Sequence, residues 1–167
     1  MQPFTLEQSV AILKYLSCTC NVPDNWYPRD VHQQARIDEY MAWQHENTRQ
    51  KSVAIFQLKV IEPRQKQIPV NQEKLDRFRS ELEITLEHIQ SVFLRDRPYL
   101  CGDDISIADL LGVCELMQPY AAGLDVREGR PVLAAWMERV KERLQPYFDE
   151  AHKQIYRLHE NFAGSKM

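Results

Sequence analysis

The side chains able to do chemistry are few and scattered. Cys18, Cys20, Cys101 and Cys114 offer thiols, but Cys18-x-Cys20 lacks the usual zinc spacing and no second pair completes it. Four cysteines in 167 residues make no disulfide framework, so incidental thiols, a reducing cytosolic compartment and no metal are expected. No serine has the histidine and carboxylate partners of an activated nucleophile. Gln8 and Ser9 stand at the start of a helix, where such residues cap the first turn. Arg49 follows His45 by one helical turn. Taken alone, Arg49 reads as a solvated arginine and His45 as a hydrogen-bonded core histidine. The most complete pattern is Gly102-Asp-Asp-Ile-Ser-Ile-Ala-Asp-Leu110. Ser106 is placed to cap a helix, and Asp109 to return a bond to the cap's own N–H, which closes a capping box. Ile105 and Leu110 are placed as the hydrophobic staple. Asp109 is therefore a structural carboxylate rather than a catalytic acid.

These residues need helices to hold them. The segment after Ser106 is apolar on nearly every side, the signature of a buried central helix, and Pro119 is expected to end it. A first helix covers Gln8 to Leu16, with Val10 and Leu13 inward, preceded by Phe4-Thr5-Leu6 as the end of a strand with nothing to pair with. Turn residues fill 18–29, where Trp26 and Tyr27 pin the chain to the core. Asp30 then caps a helix running from Val31 to about Ile61, stopped by Pro63. Its buried stripe is Ile37, Tyr40, Met41, Gln44 and Thr48, and a helix of this length is expected to bend or break. Asn71 caps the next helix, whose inward row is Leu75, Phe78, Leu82, Leu86, Ile89 and Phe93 and which ends near Leu94. Pro131 opens another as its first residue, and Pro146 a last one, with a patternless tail from Asn161.

One compact all-α domain fits this length. The chain is 44% hydrophobic and 27% charged, enough for a core and a wettable surface. A net charge of −3 with a pI near 6.0 argues against a nucleic-acid partner. No leader pattern and no stretch of eighteen apolar residues is present, so membrane insertion is not expected.

The segment Gly102 to Asp109 resembles the capping-box motif in the C-terminal helical domain of glutathione S-transferases. Other segments resemble the theta class in order and spacing: Gln8-Ser-Val-Ala-Ile-Leu13, Val22-Pro-Asp-Asn-Trp-Tyr-Pro28, Ala35 to His45, Glu115-Leu-Met-Gln-Pro119 and Glu128-Gly-Arg-Pro131. The resemblance implies a helical bundle around a buried central helix over 21–160. It also implies that 1–20 are the last strand and helix of a thioredoxin-like N-terminal domain that is otherwise missing, and that 161–167 are a disordered tail.

By that resemblance glutathione is the substrate, joined through its thiolate to small electrophiles. Gln8 and Ser9 occupy the positions that hold its γ-glutamyl end, with Gln8 standing where the family usually has Glu. Glu46, Asn47, Thr48 and Arg49 occupy a further stretch of its binding site, and Arg49 is the residue that would stabilise the thiolate. Arg36, Asp38 and Glu39 read as helix-face or inter-domain ion pairs. No catalytic serine is expected within these residues, so a truncated chain of weak or no activity is implied, as is a homodimer. The alternative is an all-helical protein-interaction module of the same fold.

Overall fold

The computed structural model describes residues 4–164, with side chains through 162. It is a helical bundle with seven α-helices among the described residues. These are α1 (Ser9–Thr19), α2 (Val31–Trp43), α3 (Gln50–Phe56), α4 (Gln72–His88), α5 (Ile107–Ala121), α6 (Pro131–Arg143) and α7 (Tyr147–Gly164). α5 is the axis. It packs against α2, α3, α6 and α7, and its Ile107, Ala108, Val113 and Leu116 are sealed from solvent. No strand occurs among the described residues, so Phe4–Leu6 is irregular chain; a lone strand has nothing to satisfy its hydrogen bonds.

The capping box at α5 forms, and it does more than cap. Asp109 Oδ2 accepts from Ser106 N at 2.9 Å and from Ser106 Oγ at 3.0 Å. Its Oδ1 accepts from Leu100 N at 2.8 Å and from the Trp136 indole at 2.9 Å. The 95–106 loop, α5 and α6 thus converge on one carboxylate. Burial raises the Asp109 carboxyl above its usual range, and these donated bonds oppose the rise.

Proline does not end helices here as expected. Helical chain continues past Pro63 to Lys66, because the Gln57–Lys66 stretch winds as wide π-type turns, in which the ring escapes the carbonyl that a regular turn would press on it. Gln67, at φ 54°, stops it. α5 likewise continues through Pro119 to Ala121. Gly123 N donates to Tyr120 O and Leu124 N to Pro119 O, a Schellman closure that relies on the positive φ of 72° at Gly123. α1 runs to Thr19 rather than Leu16, its last turn joined by Ser17 and Thr19 hydroxyls that donate to carbonyls four residues back. α7 extends beyond Asn161, since Phe162 packs on the core, where Lys59 and Arg64 lie over its ring.

Other features follow the sequence. Asp30 and Asn71 cap α2 and α4 with their side chains, and Pro131 is the first residue of α6. Tyr27 and Lys14 both bind Asp38, which ties α1 and the 23–29 loop to α2.

Ser106→Ala should cost about 1 kcal/mol of stability, the typical worth of an N-cap. Asp109→Ala should cost about 3 kcal/mol or more, because it strands buried donors in three segments. Urea melts of the two variants would show this ordering; equal small shifts would mean that the carboxylate is only a cap.

Candidate functional site

The long helical run from Val31 to Lys66 is interrupted at His45–Arg49 by a π-type turn, in which Arg49 N bonds Gln44 O at 2.9 Å. Widening a helix by one residue rotates everything beyond it and commonly marks a functional position. Here it leaves Thr48 fully buried and turns Arg49 outward, half exposed. Arg49 faces the start of α1. Its Nη1 donates to Ser9 Oγ at 3.5 Å. Gln8 is the N-cap residue of α1, but its side chain caps nothing. The expected side-chain cap is therefore absent, and the amide is free for a ligand. An open groove of about 500 Å³ lies between the two elements, lined by Gln8, His45, Arg49, Gln50, Val53 and Gln57.

Behind Arg49 stands Glu115 of α5. Its carboxylate is 4.0 Å from Arg49 Nε, accepts from Gln118 Nε2 at 3.0 Å, and is nearly buried. Burial raises its pKa, with Arg49 and Gln118 pulling the other way. The groove therefore offers the Arg49 guanidinium and the Gln8 amide, with the Ser9 hydroxyl bonded to Arg49 beside the first turn of α1, a set suited to an anion.

The structure brings together only part of the residue set expected from sequence. Gln8, Ser9 and Arg49 meet. Glu46 is exposed and lines no part of the groove. Asn47 folds back to donate to Trp43 O at 2.8 Å, and Thr48 is in the core, so neither side chain reaches the groove. His45, expected in the core, is exposed and lines the groove instead, because the wide turn carries it outward. Glu115 and Gln118 were missed as site residues. The available signal was that Glu115 is the one charged residue between Asp109 and the end of an apolar helix, with Gln118 one turn along the same face.

A second depression, of about 370 Å³, lies beside the start of α5 and includes Asn25, Cys101, Asp103 and Asp104. Its thiol is spent structurally. Cys101 donates to Arg36 O at 3.5 Å, and burial pushes its pKa up, away from a reactive thiolate. Among the described residues no three His, Cys, Asp or Glu side chains form a group that could hold a metal.

Comparison with known proteins places residues 50–143 in the family model described as glutathione S-transferase, C-terminal domain. Human glutathione S-transferase theta-1 is 44% identical over 153 residues, covering 91% of this chain and 64% of that protein. The apo structure of the human T1-1 enzyme superposes with a TM-score of 0.89 at 42% identity, covering 94% of this chain and 66% of that one. Human glutathione transferase theta-2, solved with glutathione and an unknown ligand, superposes with the same score at 39% identity, covering 98% of this chain and 68% of that one. The chain thus spans just under two thirds of the length of the curated relative.

Because the native state raises the Glu115 pKa above the ordinary 4.5, folding takes up protons there, and stability falls as pH rises through the interval from 4.5 to the raised value. Glu115→Gln should therefore raise the urea midpoint at pH 7.5, with the gain shrinking as pH approaches 4.5. A midpoint lowered at every pH would show that the carboxylate is stabilised by its partners.

Proposed function

The chain belongs to the theta class of the glutathione S-transferase family, and from that premise we propose that it binds glutathione in the groove between α1 and the His45–Arg49 turn, for addition of the thiolate to small electrophiles. The observation that carries this is the reach of Arg49 from its outward position to Ser9 at the first turn of α1. The free N–H groups of that turn, with Ser9, suit a carboxylate of the peptide. Arg49 suits its thiolate, because a neighbouring cation favours the charged form of a thiol. In the reaction the sulfur–carbon bond forms as the leaving group departs with its electron pair, or as an epoxide carbon–oxygen bond opens. Glu115 moderates the positive charge of Arg49 and fixes its direction from behind. The electrophile lies over Val53 and Ala54, the apolar wall of the groove.

Arg49 is the group assigned to the thiol, and turnover that rests on it is weak or absent. A cytoplasmic location belongs to the same reading, supported by four cysteines that are all free. No helix among the described residues is long and apolar enough to cross a membrane.

Calorimetric titration of the 167-residue chain with glutathione tests this directly. Arg49→Ala should weaken binding by about 10-fold or more, the worth of a charge-assisted contact. Unchanged affinity would remove the site. The chain should show no conjugation of small halides or epoxides above the uncatalysed rate. Robust turnover that Arg49→Ala abolishes would overturn the weak-activity part while supporting the site.

A homodimer, and with it the alternative reading as an interaction module, draws on α1. Phe4 is 71% exposed and pairs with Tyr15 at a ring separation of 5.2 Å, beside an exposed Leu16. No residue of α1 is fully buried. A contiguous apolar face of this kind favours association. Sedimentation across a wide concentration range should show a dimer that Leu16→Glu weakens; a monomer throughout would exclude it.

A further inference from the structure

Tyr40, Gln44, Thr48 and Ser52 recur at intervals of four along the long helical run, and all four are fully buried. In a regular helix of about 3.6 residues per turn a row at that spacing drifts round the cylinder. The wide turn at His45–Arg49 takes up the drift and keeps the row facing inward. Each of the four ends in an oxygen without a hydrogen-bond partner: Tyr40 Oη, Gln44 Oε1, Thr48 Oγ1 and Ser52 Oγ. Native interiors leave only a few such groups per hundred residues, and here four of them fall in one row.

Five other helical hydroxyls behave differently. Ser17, Thr19, Ser80, Thr85 and Ser91 each donate to the carbonyl four residues back. Thr48 cannot follow them, because Gln44 O already accepts from Arg49 N at 2.9 Å and from Asn47 N at 3.3 Å. The Gln44 amide nitrogen donates to Met41 O, which leaves its oxygen facing the seam. Opposite, Gly112 of α5 admits the phenol: a Cβ there would stand 2.6 Å from Tyr40 Oη. Thr48 lies close enough to Tyr40 to act on the acidity of the phenol, yet neither oxygen has a bond of sound geometry.

We propose that this seam is an internal water site, where ordered water bridges Tyr40, Gln44, Thr48 and Ser52 within the packing of the long helical run against α5. The chemistry matches. Three hydroxyls can donate or accept and one amide oxygen can only accept, while a buried water typically makes about three hydrogen bonds. One helical turn separates Thr48 from Ser52, a rise of about 6 Å. Two hydrogen bonds of about 2.8 Å meeting at the bent angle of a water reach roughly 4.5 Å, so more than one water is needed to follow the whole row. The seam runs through the turn that presents Arg49, so its water also holds the shape of that turn.

Oxygen-17 relaxation dispersion on the chain, together with urea melts of Tyr40→Phe, Thr48→Val and Ser52→Ala, tests this. Each single variant should shift the folding equilibrium toward the unfolded state by roughly 2- to 10-fold, the worth of a satisfied hydrogen bond. The combined variant should lose at least about one long-lived water. An unchanged long-lived water population overturns the proposal, as do apolar variants that all shift the equilibrium toward the folded state, the behaviour of a dry seam. If the combined variant does not fold, the same water count on Tyr40→Phe and Thr48→Val decides.

Discussion

The fold hangs on one ionisable group. Asp109 is taken almost wholly out of water, at a desolvation cost that only a full set of donors can offset. It receives that set from Ser106, Leu100 and Trp136, which belong to the start of α5, the preceding loop and α6. Because one donor comes from α6 and the others from the loop and cap before α5, the carboxylate works as a joint. It sets the axial position of α5 against its neighbours, and the position of α5 determines where Glu115 stands behind Arg49. The local capping rule at the helix start is therefore linked, through one rigid helix, to the electrostatics of the groove some two turns away.

The wide turns in the long run do the complementary work. Neighbouring side chains of any helix already point roughly 100° apart, and the wide turn at His45–Arg49 resets which of them face the core. The π-type turn leaves Thr48 in the core and Arg49 at the groove. The groove then holds opposed charges in unequal settings. Arg49 is half exposed and free to engage an anion from solvent, whereas Glu115 is nearly buried and fixed by Gln118. A mobile cation backed by an anchored anion suits reversible binding of an anionic ligand, since the ligand competes with a partner that cannot follow it.

Much of this was legible in the residues. Asp30, Asn71, Ser106 and Pro131 mark helix starts because their capping chemistry is local, and the inward row from Leu75 to Phe93 follows from helical period alone. The all-α bundle around α5, and the family itself, followed from the pattern between Gly102 and Asp109 with the segments around it. The rest was hidden for a common reason. Pro63 and Pro119 break helices under the regular-turn rule, but a wide turn makes room at the first, and at the second the helix runs only two residues further before its Schellman closure. The same change of winding reversed the expectation for His45. It also divided the stretch from Glu46 to Arg49, where period could not tell which side chain turns outward. Gln8 was read as a possible cap from its position, but position alone does not show whether its amide turns toward the backbone or the groove.

The most direct measurement is a titration of the isotope-labelled chain with glutathione, followed by backbone amide resonances. A ligand held between α1 and the wide turn should shift the amides of Ser9, Val10 and Glu46 to Gln50 together, with a common saturation curve. Movement confined to Cys101 to Ser106, or saturable shifts absent from both elements of the groove, would contradict a glutathione site centred on Arg49.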